Sequence, residues 1–388
     1  YICLILDNAT INSLSSQTAS PISFKEHTGI RTIYVKENTT NYLCDSIGDT
    51  EESGDGAVIK AKKSSLVIMG SGKLVINTLG EDTNGIQAKN ELYIFDTQIE
   101  IDATNNGIKS GTSLIIKNAN ILIESNNDGI KTDIEITSTN NSYQSDPFAG
   151  YIYIYNTDIN ITASDDGISA CSYLKIDNST HEINIITNGG TPYAITESSS
   201  NNANGKAIKV DGLVLEVNNT ETDLASKTNY NYLLVILSGV FNLNSNDDAI
   251  HSKGNTYITG GSFNITSGND GIHSEYTTNI SNGTINITKS YEAIEGATVE
   301  ILDGTINVVA YDDGINAANS SLRNYAYYIY ISGGTITVNA QGDGIDSNGT
   351  IQITGGTTIV YGPSKNGNCG LDSEKGIFID GGNVVVFS

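Results

Sequence analysis

A chain of 388 residues with 40 Gly, 4 Pro, 1 Met and no Trp, crowded with Asn, Thr, Ser and Ile, disfavours long α-helices because those residues are poor helix formers. Its 20 Lys and Arg against 44 Asp and Glu leave a net charge of −24, which argues against nucleic acid as a partner, since phosphate binding needs clustered cations. With 38% apolar residues the chain can bury a narrow core, so it is not a disordered polyanion, and no apolar run is long enough for a membrane span.

Residues 1–53 read as an N-terminal cap and opening coil, with strand-like runs at Ile22-Ser-Phe-Lys and Thr32-Ile-Tyr-Val-Lys. The start at Tyr1, inside such a run, reads as a processed or truncated form. From 54 to 388 one tag recurs: TNGIQA (83–88), NNGIKS (105–110), NDGIKT (127–132), DDGISA (165–170), GKAIKV (205–210), DDAIHS (247–252), NDGIHS (269–274), YEAIEG (291–296), DDGINA (312–317), GDGIDS (342–347) and CGLDS (369–373). Where the tags are cleanest their isoleucines lie 22 or 21 residues apart, and the interval between tags holds two short runs of alternating apolar and polar residues. Longer intervals predict surface loops near 137–149, 188–204, 218–230 and 318–326, although the interval before Ile250 has room for a degenerate coil.

A unit of this length with three short strands cannot cover both faces of a flat sheet, but it can wind once around an axis and stack on the next unit. The spacing therefore predicts an all-β fold, a single-stranded right-handed parallel β-helix of about a dozen coils forming one structural domain. The tag isoleucines stack inside it, the small residues two places later (Ser110, Ser252, Ser274, Ser347) also point inward, and the tag glycines serve a sharp bend that asks for positive φ. Among the four cysteines only Cys3 and Cys44 are placed to form a bridge, with four buried free thiols as the alternative.

In a solenoid, equal positions in the repeat become spatial neighbours. Two residues before the tag isoleucine the column reads Asn84, Asn106, Asp128, Asp166, Lys206, Asp248, Asp270, Glu292, Asp313, Asp343, with Asp165, Asp247 and Asp312 beside it. Carboxylates stacked about 4.8 Å apart repel unless a cation sits between rungs. Ca2+ suits such a column because it takes six to eight oxygens at about 2.3–2.6 Å. The candidate ligands are Asp247, Asp248, Asp270, Glu292, Asp312, Asp313 and Asp343, with a second cluster at Asp128, Asp165 and Asp166. The alternative is that these residues only cap the turn through hydrogen bonds to backbone amides. Zinc is disfavoured because His27, His181, His251 and His273 do not pair with cysteines, although His251 and His273 fall on adjacent rungs.

A second column, on the outward face of a strand, reads Tyr93, Ile115, Tyr153, Val235, Tyr257, Asn279, Glu300 and Tyr330, with Tyr151, Tyr155 and Tyr328 on the same strands. A flat face bearing tyrosines suits stacking against pyranose rings, and Tyr153, Tyr257 and Tyr330 are the carbohydrate-binding candidates; ordinary strand propensity is the alternative. A lyase would need a basic residue to remove a proton. Arg31 and Arg323 lie in the cap and a loop, so only Lys131, Lys206 and Lys209 are placed for that role, with charge compensation as their alternative.

The DDGI tags, their period, and the phrase seen as Ile331-Ser-Gly-Gly-Thr-Ile-Thr-Val and Ile301-Leu-Asp-Gly-Thr-Ile-Asn-Val resemble the carbohydrate-binding β-helix proteins of cellulolytic clostridia, which are similar in fold to family-nine pectate lyases. The opening, Leu4-Ile-Leu-Asp-Asn-Ala-Thr-Ile-Asn-Ser followed by Ile33-Tyr-Val-Lys, extends the resemblance over nearly the whole chain. The resemblance implies calcium held in the Asp turns and binding of cellulose or pectin, with polygalacturonate as the acidic polymer, by an extracellular or cell-surface protein. Lys206 and Glu292 in the acidic column, and Ala249 and Ala293 in place of the tag glycine, depart from that pattern.

The expected function is therefore non-catalytic, calcium-supported recognition of plant cell-wall polysaccharide. The alternatives are a calcium-dependent pectate lyase-like enzyme and a structural or adhesive scaffold or filament component that associates with itself or with scaffold partners. Asn-x-Ser/Thr sites such as Asn160, Asn264, Asn286 and Asn348 would suit the scaffold if they carried glycans.

Overall fold

The computed structural model describes residues 2–13, 20–25, 28–48, 56–134, 149–211, 214–217, 220–223, 232–322, 324–363 and 367–387. Most of the loop regions expected near 137–149 and 218–230, together with His27 and Arg323, lie outside the described residues. The chain forms two compact units, one of residues 1–185 and 212–230, the other of residues 186–211 and 231–388.

In the first unit each turn of chain lays down three strands, and each strand pairs in parallel with its equivalent one turn later. One ladder runs Ile30–Val35, Ser65–Met69, Leu92–Phe95, Ser113–Lys117, Tyr151–Tyr155. A second runs Thr40–Cys44, Lys73–Asn77, Gln98–Ala103, Asn120–Ser125, Asp158–Ala163. The third carries the tags, through Ile22–Phe24, Ala57–Ala61, Asn84–Ala88, Ile108–Ser110, Ile130–Thr132 and Ile168–Ala170. The second unit repeats this winding, and its tag strands put Ile208, Ile250, Ile272, Ile294, Ile315, Ile345 and Leu371 opposite one another. This is the expected all-β parallel β-helix. Its main-chain hydrogen bonds run between turns, so the alternating side chains divide cleanly into an inner and an outer set.

The inner set is the core. The tag isoleucines from Ile59 to Ile345 are fully buried, as are Ile154, Ile258, Ile331, Ser110, Ser252 and Ser347. Within the region read as cap and opening coil, Ile22 faces Ile59, and both lie in the same stack as Ile86. Ile208 pairs directly with Ile250, so the long interval between them holds no degenerate coil; strands 214–217 and 220–223 form an antiparallel pair within it. The 188–204 region contains a one-turn helix at Glu197–Ser200 capped by Thr196. Just after the 318–326 loop, Tyr327 Oη donates back to the carbonyl of Asn319 within it at 2.6 Å.

Two local expectations are corrected. The tag glycines do not take positive φ. Space favours glycine there: a Cβ at Gly129 would lie 2.6 Å from Ile161 Cγ2 and 2.7 Å from the carbonyl oxygen of Gly167, while buried Ala207, Ala249 and Ala293 hold the same position in other tags. Left-handed backbone occurs instead at the turn between the other two strands of the coil. There Asp96, Asn118 and Asn156 supply it in the first unit, and Gly261, Gly283, Gly304 and Gly334 in the second. Cys3 and Cys44 are not bridged, and all four cysteines are free. Cys3 is in register with Thr32, whereas Cys44 is in register with Asn12 and Asn77 on a different ladder.

Candidate metal and glycan sites

Most residues two places before a tag isoleucine spend one side-chain oxygen on the next turn of chain, Lys206 being the exception in kind. In the first unit Asn84 Oδ1 accepts from Asn106 Nδ2 at 2.8 Å, Asn106 Oδ1 from the Asp128 amide at 3.3 Å, and Asp128 Oδ1 from the Asp166 amide at 3.1 Å. In the second, Asp248 Oδ1 accepts from the Asp270 amide at 3.1 Å, Asp270 Oδ1 from the Glu292 amide at 3.3 Å, and Asp313 Oδ1 from the Asp343 amide at 2.6 Å. Asparagine caps this turn as well as aspartate does. What an acid adds is a second, charged oxygen.

Side-chain cations neutralise some of those oxygens. Lys131 Nζ lies 2.6 Å from Asp128 Oδ2, beside Asp165 and Asp166, whose carboxylates complete a cluster with ligand atoms within 4.8 Å of one another. Lys206 contacts Asp247 and lies 3.0 Å from Asp248 Oδ2; burial favours its neutral form, but the two aspartates outweigh it and raise its pKa. Lys209 lies 3.3 Å from Asp211 Oδ2. All three lysines are counterions, and Lys206 is held protonated, the reverse of what a proton-abstracting base requires.

Directly after each tag isoleucine stands a second column that the sequence reading did not assemble: His251, His273, Glu295, Asn316, Asp346 and Asp372, in register rung by rung. His251 Nδ1 is 2.9 Å from Asp248 Oδ2, and His273 Nδ1 lies 3.4 Å from Asp270 Oδ2 and 3.8 Å from Asp248 Oδ2. Burial favours the neutral form of His251. It opposes the charge on His273 as well, but Asp248, Glu295 and Asp270 outweigh it and lift that imidazole to about 10.

Past His273 no salt bridge among the described residues brings a lysine or arginine to the column. Burial raises Asp270, Glu292 and Glu295, and neighbouring carboxylates raise them further. Asp313 is pushed up to about 7 and Asp346 to about 6, by burial first and by surrounding aspartates next. Among these acids sits Asn316, only 6% exposed, whose Nδ2 donates to Glu292 Oε2 at 3.0 Å and whose Oδ1 is buried with no hydrogen-bond partner. An orphaned carbonyl oxygen beside carboxylates that resist ionising offers donors of the kind a hard cation could use. Asp312 lies beside this group and raises the Asp313 carboxyl, and Asp343 caps the following turn through Oδ1.

The outward tyrosines behave differently in the two units. In the first, Tyr93, Ile115, Tyr153 and Lys175 form one column and Phe95, Lys117, Tyr155 and Asp177 the next. Tyr93 and Phe95 lie 5.9 Å apart between ring centroids, and Tyr153 and Tyr155 lie 6.3 Å apart. Lys117 Nζ stands 5.1 Å over the Tyr155 ring and Lys175 Nζ 5.3 Å over the Tyr153 ring. In the second unit Tyr257 is followed by Asn279, Glu300 and then Tyr330. Asn279 donates to Glu300 Oε2 at 2.7 Å and Tyr328 donates to Glu300 Oε1, so polar rungs separate the two tyrosines. Tyr330 instead borders an open groove of about 500 Å³ with Tyr327, Tyr328, Gln352 and Lys375.

Both lysines over the tyrosines and the column of Glu295, Asn316 and Asp346 were missed from sequence. The signal for the second column was available, since the position after each tag isoleucine can be read in the same way as the position two before it.

The sequence model of one family, described as carbohydrate-binding domain-containing protein, matches residues 1–271 and again 267–388. No curated protein and no solved structure is detectably similar to the chain.

Proposed function

Since this chain belongs to the carbohydrate-binding domain-containing family, we propose that it is a non-catalytic, calcium-supported binder of plant cell-wall polysaccharide that acts outside the cell. The observation that carries this reading is the aromatic face of the first unit. Tyr93 and Phe95 lie two rungs from Tyr153 and Tyr155, a separation of about 10 Å at the usual strand spacing. That is close to the disaccharide repeat of an extended β-1,4-linked chain, so alternate sugars of a glycan lying along the helix axis would meet a ring pair. Lys117 and Lys175 stand over the Tyr155 and Tyr153 rings, where they supply charge for a uronate.

Ca2+ is assigned to Glu292, Asp313, Asn316 and Asp346, where the Asn316 oxygen is buried without a partner among half-buried acids, in preference to Asp247 and Asp248, whose charge Lys206 already meets. When bound, calcium would replace the protons these acids otherwise retain and join adjacent rungs.

The test is sedimentation with cellulose and with polygalacturonate, with and without chelator, for the native chain and for Tyr93→Ala and Tyr153→Ala. Loss of binding in both variants is expected. Binding that survives both would remove this face from the reading, and release of unsaturated product would favour the lyase alternative. Failure to bind any glycan would leave the scaffold.

A further inference from the structure

The calcium reading leaves one group of side chains unexplained, and its chemistry points to a different metal. We infer that His251, His273 and Asp248, with Asp270 reaching in from the next rung, form a binding site for a divalent first-row transition ion, Zn2+ foremost. Calcium takes oxygen ligands and passes over imidazole, whereas zinc takes imidazole nitrogen and carboxylate oxygen together. The nearest atoms of Asp248, His251 and His273 all lie within 4.8 Å of one another. Asp248 Oδ2 lies 2.9 Å from His251 Nδ1 and 3.8 Å from His273 Nδ1, which bracket the edge of about 3.4 Å expected for a tetrahedron with metal–ligand bonds of about 2.1 Å. Asp270, 3.4 Å from His273 Nδ1, belongs to an overlapping cluster with His273 and Glu295, from which it would close in on binding.

The surroundings are built to aim these ligands. Asp248 Oδ1 is pinned by Asn269 Nδ2 at 2.9 Å and the Asp270 amide at 3.1 Å, and Asp270 Oδ1 by the Glu292 amide at 3.3 Å. Each carboxylate therefore turns Oδ2 toward the histidines. On the far edge of the ring, His273 Nε2 lies 3.4 Å from Glu295 Oε2, the carboxylate–histidine arrangement that orients a metal-bound imidazole and strengthens it as a ligand. His251 and His273 stand opposite each other on paired tag strands, so the two rungs fix their spacing. One charge competes: Lys206 Nζ, 3.0 Å from Asp248 Oδ2, also holds Asp247, and it would keep that second partner on yielding Asp248 to the ion.

Equilibrium dialysis of the full chain against Zn2+, followed by metal analysis, is expected to show one retained zinc that millimolar calcium does not displace. His251→Ala and His273→Ala should each abolish it, and Glu295→Gln should weaken it about 10–100-fold. Asp313→Asn, which touches only the calcium assignment, should leave it unchanged. Because a histidine variant could fail to fold, Co2+ is added to the unaltered protein as well, where the intense visible bands of a tetrahedral nitrogen and oxygen site are expected. Absence of those bands, absence of retained zinc, or zinc binding that persists in folded His251→Ala and His273→Ala would overturn the assignment.

Discussion

Asp313→Asn separates the two roles of the acidic column. Asparagine keeps the Oδ1 acceptor that receives the Asp343 amide at 2.6 Å, so the turn cap survives and only the ionisable oxygen is lost. The Asp313 carboxyl rises from 3.8 to about 7, through burial first and then through Asp312, Asp343 and Asp346. A carboxyl whose folded pKa is raised contributes stability that is fully present below its unfolded pKa and is lost as pH rises through the folded value. Between about pH 5.5 and pH 8 that loss is about 2 kcal/mol at 1.36 kcal/mol per pKa unit. Solvent screening of the part-exposed group cuts it to about 1 kcal/mol. Thermal melting in chelator should therefore show Asp313→Asn gaining about 2–4 °C on the native chain between about pH 5.5 and pH 8. The gap should narrow further below about pH 5.5 and close only near the unfolded value of 3.8, where the unfolded carboxyl also takes up its proton. Saturating calcium should reverse the order at the higher pH, because only the native chain then offers the full ligand set. A gap that does not change with pH, or calcium that raises both melting temperatures equally, would refute the reasoning and leave Asp313 as a turn cap alone.

Gly129→Ala places a Cβ 2.6 Å from Ile161 Cγ2 and 2.7 Å from a backbone oxygen that cannot move without its rung, so a loss of about 1–3 kcal/mol in urea unfolding is expected. Lys206→Met removes the cation from buried Asp248, whose carboxyl Lys206 and the histidines hold well below its ordinary value despite burial. A loss of about 3 kcal/mol at neutral pH is expected. A depressed carboxyl contributes stability above its unfolded pKa and loses it as pH falls, so the difference between variant and native chain should narrow below about pH 4 in denaturant titrations followed against pH.

The repeat made the fold legible before any coordinates. A period of 22 residues with one isoleucine per turn admits few solutions other than a parallel coil, and the register of Ile86, Ile108 and Ile130 is the one their spacing requires. The acidic column was legible for the same reason, because equal positions in a solenoid become neighbours. Local backbone geometry was not. The sharp tag bend suggested positive φ, yet the glycine there is set by the approach of a side chain from the adjoining ladder, which has no signature near it in sequence.

By itself, then, the sequence determined the winding, the buried isoleucine stack and which residues share a column, because all of these follow from periodicity alone. Only the tertiary structure decided which charges meet. Lys206 turns to Asp247 and Asp248, His273 stands between Asp248 and Asp270, and Asn316 Oδ1 is buried among acids without a partner. The tyrosines divide in the same way: their column, with Asn279 and Glu300 between Tyr257 and Tyr330, could be read from spacing, but Lys117 and Lys175 over the rings of one unit and the hydrogen bond from Tyr328 to Glu300 in the other could not. Column membership is fixed by counting residues along the chain, whereas the direction of each side chain is fixed by the charges and volumes of neighbours one rung away.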